Sequence, residues 1–420
     1  MGGCVAMSAS AQETKQSQDL SVELNPVVVT GTGTHHRLKD TPTPVEVVTA
    51  NDIKKAGITD FREAMTALVP SLSFSTNSMG DYLMLNGLSN KYVLILINGK
   101  KLTGDSSNNI DLNRIDMSNV KRIEVLKGAG SALYGSDAIG GVINIITNQP
   151  INDITVTSNT KVEERGQFTQ TANVDIKTEK FASYTSYQRR QADGWTLTRV
   201  DADGEARDQH DANAFYTDNY TQMFQFTPND KLSMYVEGSY YDRTVKRQPE
   251  YLKYNLTYDA YSLGAGAKYN FNKRSYIQFD IKNDNYDTNY LYTNEDGDNK
   301  VGDEVRQKRQ HYYSGNLKSL FRFTENTRTI FGVEYIQETL DRPSFNVDER
   351  AYTWATYAQE EITLFKNLQI QAGLRYVYHE TAKSNVTPKL AVMYRLGDFT
   401  IRGQYSAGFR APGLDELYLS

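Results

Sequence analysis

A single cysteine in 420 residues, Cys4, has no partner in the chain for a disulfide and excludes any site built from several thiolates. Long apolar runs are equally scarce. The longest uncharged one, YVLILI at 92–97, falls far short of the roughly 18 residues a membrane-spanning helix needs, so a helical membrane protein is excluded. Positive charge is in deficit: 46 Lys and Arg against 51 Asp and Glu leave a net charge of −5. That balance argues against nucleic acid as the main partner, because phosphate binding needs a basic face. Hydrophobic residues make up only 39% of the chain. Against these shortages stand 29 tyrosines and 16 phenylalanines, an odd mixture for a soluble α/β enzyme. No nucleophile–base set and no metal cluster of recognisable spacing is visible, so no catalytic residue and no cofactor is expected.

Four zones follow one another. Residues 1–11 end in Ala9-Ser10-Ala11, an A-x-A cleavage pattern, and read as the remnant of a secretory signal peptide that lacks its basic start. Residues 12–34 are polar, end in NPVVVTGTGT, and are expected to be a flexible N-terminus. Residues 35–150 mix helix and strand signals and predict a compact α+β domain. There TDFREAMTALVPSLSF (59–74) predicts a helix capped by Thr59 or Asp60, apolar through Phe61, Met65 and Leu68, and stopped by Pro70. KYVLILINGKKL predicts a buried strand running into an Asn98-Gly99 turn.

From 151 to 420 helical periodicity disappears and alternation of period two takes over. In KLSMYVEGSYYDR one face carries Leu232, Met234, Val236, Gly238 and Tyr240; the other carries Ser233, Tyr235, Glu237, Ser239 and Tyr241. LQIQAGLRYVYHE sets Leu368, Ile370, Ala372, Leu374, Tyr376 and Tyr378 against Gln369, Gln371, Arg375 and His379, and FTIRGQYSAGF aligns Phe399, Ile401, Tyr405 and Phe409. These runs are longer than ordinary globular strands and suit tilted strands crossing a bilayer with one wet face. Tight links such as KTEK (177–180), TPND (227–230) and LGD (396–398) alternate with mostly longer loops at 191–215, 245–255, 292–305 and 341–350. Short turns on one rim and long loops on the other is the outer-membrane barrel pattern, short side periplasmic. About 13 strands fit, an odd number that leaves an antiparallel barrel unclosed. The expected class is therefore mainly β: an incomplete antiparallel transmembrane barrel behind an N-terminal α+β domain.

At the junction lies RIEVLKGAGSALYGSDAIGGVINIIT (122–147), whose Gly128, Gly130, Gly135, Gly140 and Gly141 permit close backbone approaches or positive φ. This run resembles the end of the plug domain of TonB-dependent outer-membrane receptors, and residues 357–418, with the GFRAP box at 408–412, resemble the mid-barrel region of the same family. The chain departs from that pattern at Asn86, where many relatives have Arg-Gly, and at Ala129-Gly130, where proline is frequent.

The resemblance implies a 22-stranded plugged barrel in the outer membrane, of which this chain looks like the first part. It identifies NPVVVTG as a TonB box, with Pro26, Val27, Val28, Val29 and Thr30 adding as an edge strand to TonB of the inner-membrane energising complex. The other partners implied are outer-membrane lipid and a scarce small-molecule ligand: a ferric siderophore first, cobalamin second, haem third. A passive porin or structural barrel is the alternative of another class. Ligand contacts are expected from the plug apex (Asn77, Met79, Asp81, Tyr82, Asp105, Asn108) and from the barrel mouth (Arg189, Arg190, Trp195, Tyr241, Arg243, Tyr251, Arg410). Acidic loops at Asp201 and Asp203 and at Asp296 and Asp298 have oxygen ligands of the kind calcium takes, without EF-hand spacing; solvated loop tips are the favoured reading there. None of the five histidines lies in the two apical plug segments, which counts against haem.

Overall fold

A computed structural model describes residues 5–10, 26–77, 80–106, 109–200, 205–247 and 252–418. The N-terminal domain is built on a mixed sheet of five strands: β1 (Val45–Thr49), β2 (Val93–Ile97), β3 (Lys100–Lys101), β4 (Val120–Lys127) and β5 (Gly141–Thr147), in the order β1-β4-β5-β2-β3. Only β5 and β2 pair in parallel. One face of this sheet covers a dry core that includes Ile95, Ile123, Val125, Ile143 and Ile145, where each fully buried aliphatic side chain contributes about 1.5–3 kcal/mol.

The predicted helix is present as α2 (Phe61–Leu68). Asp60, not Thr59, caps it by accepting a hydrogen bond from the amide of Glu63, and Phe61, Ala64 and Met65 point into the core. A preceding helix, α1 (Ala50–Ala56), was not anticipated; Thr49 and Asp52 form its capping box and left-handed Gly57 ends it. The Asn98-Gly99 turn joins β2 to β3 with both residues at positive φ, the geometry that a two-residue hairpin requires. Asn86, the departure noted above, likewise sits at φ 51° beside Gly87 at 80°, where an asparagine is at ease.

Thirteen consecutive antiparallel strands follow: β6 (Ile154–Val162), β7 (Phe168–Lys177), β8 (Phe181–Ala192), β9 (Phe215–Asn229), β10 (Leu232–Val245), β11 (Tyr254–Asn272), β12 (Ser275–Tyr292), β13 (Glu304–Phe321), β14 (Thr327–Arg342), β15 (Val347–Leu364), β16 (Leu368–His379), β17 (Lys383–Leu396) and β18 (Phe399–Ser406). Each pairs with its neighbours in chain order. The two predicted faces are borne out: Leu374 is 53% exposed and its neighbour Arg375 only 2%. Val236, Leu263 and Phe279 likewise face out, while Gln371, Tyr241 and Tyr286 face in.

The wet faces wrap the N-terminal domain. Hydrogen bonds reach it from Asn173 on β7, from Asn219 on β9, and onward to Arg402 on β18. Residues 5–10 form a further strand, antiparallel to the outer edge of β6.

Several expectations are corrected. The link at 341–350 is not a long loop: β14 and β15 continue to Arg342 and from Val347, leaving one short helical turn. The link at 191–215 holds a hairpin of its own, Trp195–Val200 against Ala206–Ala212. A short helix α3 (Ser131–Tyr134) lies in the N-terminal domain, and helical structure does return after residue 151, in α4 (Leu414–Tyr418). Phe409 does not continue the outward face of β18. The strand ends at Ser406 and the chain turns into the lumen, where Phe409 packs against Ala355 and Val377.

Candidate functional site

Two contact zones between the inner domain and the wall carry the functional groups. The first surrounds the segment identified as a TonB box. From Pro26 onward that segment is not the free tail expected of residues 12–34; it is folded into the lumen. Val27–Val28 pairs antiparallel with His36–Arg37, and Val28 and Thr30 are buried. Glu124 on β4, itself fully buried, accepts from the amides of Val29 (2.9 Å) and Thr30 (2.8 Å) and from the Thr30 hydroxyl (2.6 Å), while Arg122 balances its charge at 2.7 Å. Asn144, across from Glu124 on β5, donates to the Thr30 hydroxyl, and Tyr134 donates to the Thr30 carbonyl.

The barrel adds a second set of bonds, all to backbone carbonyls. Lys389 donates to Gly31 (2.9 Å), Gln359 to Thr32 (2.7 Å) and Lys318 to Gly33 (2.5 Å). Nearby, His36 meets Glu361 at 3.0 Å, and Arg328 meets the same carboxylate at 2.8 Å. This zone explains the RIEV motif at the level of atoms: its Arg and Glu hold the N-terminal segment, and its Ile and Val fill the core.

The second zone forms a roof across the lumen. Asp111 accepts from Tyr241 on β10 (2.5 Å) and Tyr286 on β12 (2.9 Å), with Arg243 3.5 Å away. Burial alone would raise the Asp111 carboxyl; the Arg243 charge and the hydrogen bonds from Tyr241, Asn113 and Tyr286 outweigh it and hold it below the usual aspartate range. Beside it, Arg114 makes an ion pair with Asp284 (2.7 Å), which also accepts from Thr103 and lies 3.2 Å from Lys282. Gly104 sits at φ +88°, and a Cβ there would fall 2.5 Å from the Tyr286 ring, so only glycine lets this loop reach the wall.

Above the roof the segment 407–418 folds over the inner domain. Asp415 pairs with Lys308 and Arg342, and Glu416 pairs with Lys91 (2.6 Å) and Arg410. Burial would raise Glu416; the hydrogen bonds from Lys91, Arg410 and the Gly413 amide lower it to about 2. The Phe409 amide donates to Ser131 and the Ala411 amide to Ser136, tying this segment to the glycine-rich junction. Gly135 in that junction has φ +79°, and a Cβ on it would lie 2.8 Å from the buried Arg375 guanidinium.

The expected ligand residues scatter. Met79, Asn108, Tyr251, Asp201 and Asp203 lie outside the described residues, as do the side chains of Asn77 and Asp81, which belong to the antiparallel hairpin Leu72–Asn77 and Gly80–Leu85. Tyr82 is half-buried on that hairpin. Asp105 is apical but already accepts from Lys308 (2.6 Å) and Gln310 (2.9 Å). Of the mouth residues, Arg189 pairs with Asp218 (2.9 Å) and Trp195 stacks under Arg165. Arg190 turns inward to Asp60 (2.6 Å) at the cap of α2. Tyr241 and Arg243 turn inward to Asp111 and are part of the roof. Arg410 belongs to the inward-folded segment, 3.7 Å from Asp137. Asp296 makes an exposed pair with Lys253, and among the described residues no group of three potential metal-ligating side chains exists, so the acidic loops give calcium no support there. Sequence reasoning missed Glu124, Asp284, Lys318 and Lys389. Only Glu124 had a signal, a charge flanked by apolar residues in a strand.

A domain seated inside an antiparallel barrel whose outer face is apolar defines a plugged outer-membrane barrel. Comparison with known families agrees: residues 37–142 match the TonB-dependent receptor plug domain and residues 165–420 match the TonB-dependent receptor-like β-barrel. The chain belongs to the TonB-dependent receptor family, a family of outer-membrane receptors and transporters and not of enzymes.

Among its relatives is the iron-regulated outer membrane virulence protein of Vibrio cholerae, 25% identical over 462 residues, covering 99% of this chain and 64% of that protein. The vitamin B12 transporter BtuB of Vibrio cholerae is 25% identical, covering 93% and 64%, and the ferric enterobactin receptor PirA of Pseudomonas aeruginosa is 25% identical, covering 98% and 64%. The crystal structure of the siderophore receptor PirA from Pseudomonas aeruginosa superposes with a TM-score of 0.67 at 21% identity, covering 88% of this chain and 62% of that one. The chain thus spans just under two thirds of the length of these relatives.

Proposed function

We propose that this protein captures a ferric siderophore at the outer face and imports it on energy delivered through TonB. The observation that carries the reading is the grip on residues 29–33. A β-branched segment held mainly through backbone groups is one that a partner strand can replace bond for bond, since strand addition uses the same amides and carbonyls. Two relatives whose names specify iron regulation and ferric enterobactin support iron over other cargo. The likeness to the B12 transporter keeps cobalamin as the second reading. Haem is disfavoured by His379, whose Nδ1 accepts from the amides of Thr381 and Ala382 and so caps a turn.

The test is growth of receptor-deleted cells carrying this protein, with ferric enterobactin as sole iron source or cobalamin as sole source of that vitamin. Growth on the first, abolished by deleting residues 26–30, is the expected result. Growth restored on cobalamin alone would transfer the assignment, and uptake indifferent to the deletion would remove TonB from the account.

A further inference from the structure

Beneath the roof, between the plug and strands β9 to β12, lies a cavity of about 560 Å³. Ser233, Asn270 and Gln278 line it beside the short turns at 230–231 and 273–274, which places it on the periplasmic side of the Asp111 and Asp284 networks. Its room comes from the inward face of β11, which runs Ala260, Ser262, Gly264, Gly266. A Cβ on Gly264 would lie 2.8 Å from the Glu237 carboxylate, and one on Gly266 would lie 2.5 Å from the Tyr235 ring. Ordinary side chains on that strand would fill the space that these two side chains now cross.

The charges around the cavity are only partly paired: the lining carboxylate of Asp116 accepts from the Ser118 amide and the Ser118 and Ser186 hydroxyls. Glu237 is paired with Lys100, Asp280 accepts from Tyr235 (2.5 Å) and Gln278 (2.7 Å), and Lys282 is matched by Asp284. Lys268, half-buried in the wall, is paired with no carboxylate among the described residues; its ammonium stands 4.0 Å from the centre of the Tyr276 ring. Asn119, 7% exposed on the plug side of the same cavity, has a side-chain oxygen that accepts no hydrogen bond among the described residues. A solute that satisfies both brings negative charge and hydrogen-bond donors.

We infer that this cavity is a transit site for an anionic, oxygen-rich chelate bearing amide or hydroxyl donors, with Lys268 as its charge anchor. The inference rests on the importing role proposed above and adds where the cargo pauses after the roof opens and what chemistry holds it. The ligand leaves the apex when the roof contacts break, enters a space that is already present, and meets in Lys268 a cation that no carboxylate contacts among the described residues.

The test has two arms. In a Cys4→Ser background, Ser262→Cys is exposed in intact outer membranes to an anionic thiol reagent (sulfonatoethyl methanethiosulfonate) and to its cationic trimethylammonium counterpart. The anionic reagent should react about threefold or more faster, and Lys268→Gln should bring the two rates together, because the local potential raises the concentration of one sign. No labelling at 262, or equal rates with Lys268 present, overturns the site. In the second arm, Ser262→Trp should cut uptake of radiolabelled ferric enterobactin about tenfold or more while surface binding and heat-modifiable gel mobility stay as in the parent. Parental uptake by that variant overturns the transit role. Should the parent itself neither bind nor import ferric enterobactin, the siderophore reading falls instead, and the labelling rates still decide the cavity.

Discussion

The wall holds the plug in two chemically different ways. At the roof the contacts join side chain to side chain: Asp111 with Tyr241 and Tyr286, Arg114 with Asp284. Around residues 29–33 they join side chains to backbone: Lys318, Gln359 and Lys389 give to carbonyls, and from within the plug Glu124 takes amides. Side-chain pairs in a buried setting are specific and costly to break singly, since the orphaned charge stays behind. Backbone grips do not depend on which residues occupy the held strand, and another strand can take them over. The difference matches two tasks, a roof that separates outside from inside and a handle that must be surrendered to a partner.

The comparison is broken most severely at Asp284. Asp284→Ala leaves Arg114 and Lys282 facing each other without their shared counter-charge, and a loss of about 3–5 kcal/mol is expected. A lower urea midpoint for release of the plug signal measures it; an unchanged midpoint would mean the roof bears no load. Glu124→Gln tests the handle. Replacing a buried charged acceptor by a neutral amide should cost about 1.5–3 kcal/mol, seen as faster hydrogen exchange at the Val29 and Thr30 amides. It should also raise capture of the periplasmic TonB domain by the ligand-free protein. Exchange that stays slow would show that the barrel lysines hold the segment unaided.

The mildest perturbation is acid. Glu416 and Asp111 both sit below their ordinary values when folded, so the stabilisation they supply is present above about pH 4. It fades as the pH falls from there toward about 2, the folded value of Glu416. Pepsin cleavage within 407–418 should therefore rise steeply over that window. Cleavage that ignores pH would show that Phe409 and its apolar neighbours hold the segment without the charges.

Much of the architecture was legible because its signals are local. Alternating faces on β10 and β16 follow from period two, the α2 cap from Asp60 and Glu63, and the β2–β3 turn from Asn98-Gly99. The misreadings share a cause. Tyr241, Arg243 and Arg190 read as mouth residues because aromatic and basic residues near a strand end look alike whether they face solvent or a plug. Which depth each reaches depends on strand tilt and register, and these emerge only when thirteen strands pair. Phe409 reads as strand because its alternation continues past Ser406, where the chain turns inward.

By itself the sequence determined the family, the order of plug and barrel, and which face of each strand meets lipid, since these rest on short-range pattern and on glycines where no side chain fits. Tertiary structure alone decided that Glu124 meets Thr30 across 94 residues, that Asp284 locks Arg114 across 170, and that Lys268 stands beside an open space with no carboxylate paired to it among the described residues. Charge compensation is a property of three-dimensional neighbours, and no spacing along the chain records who those neighbours are.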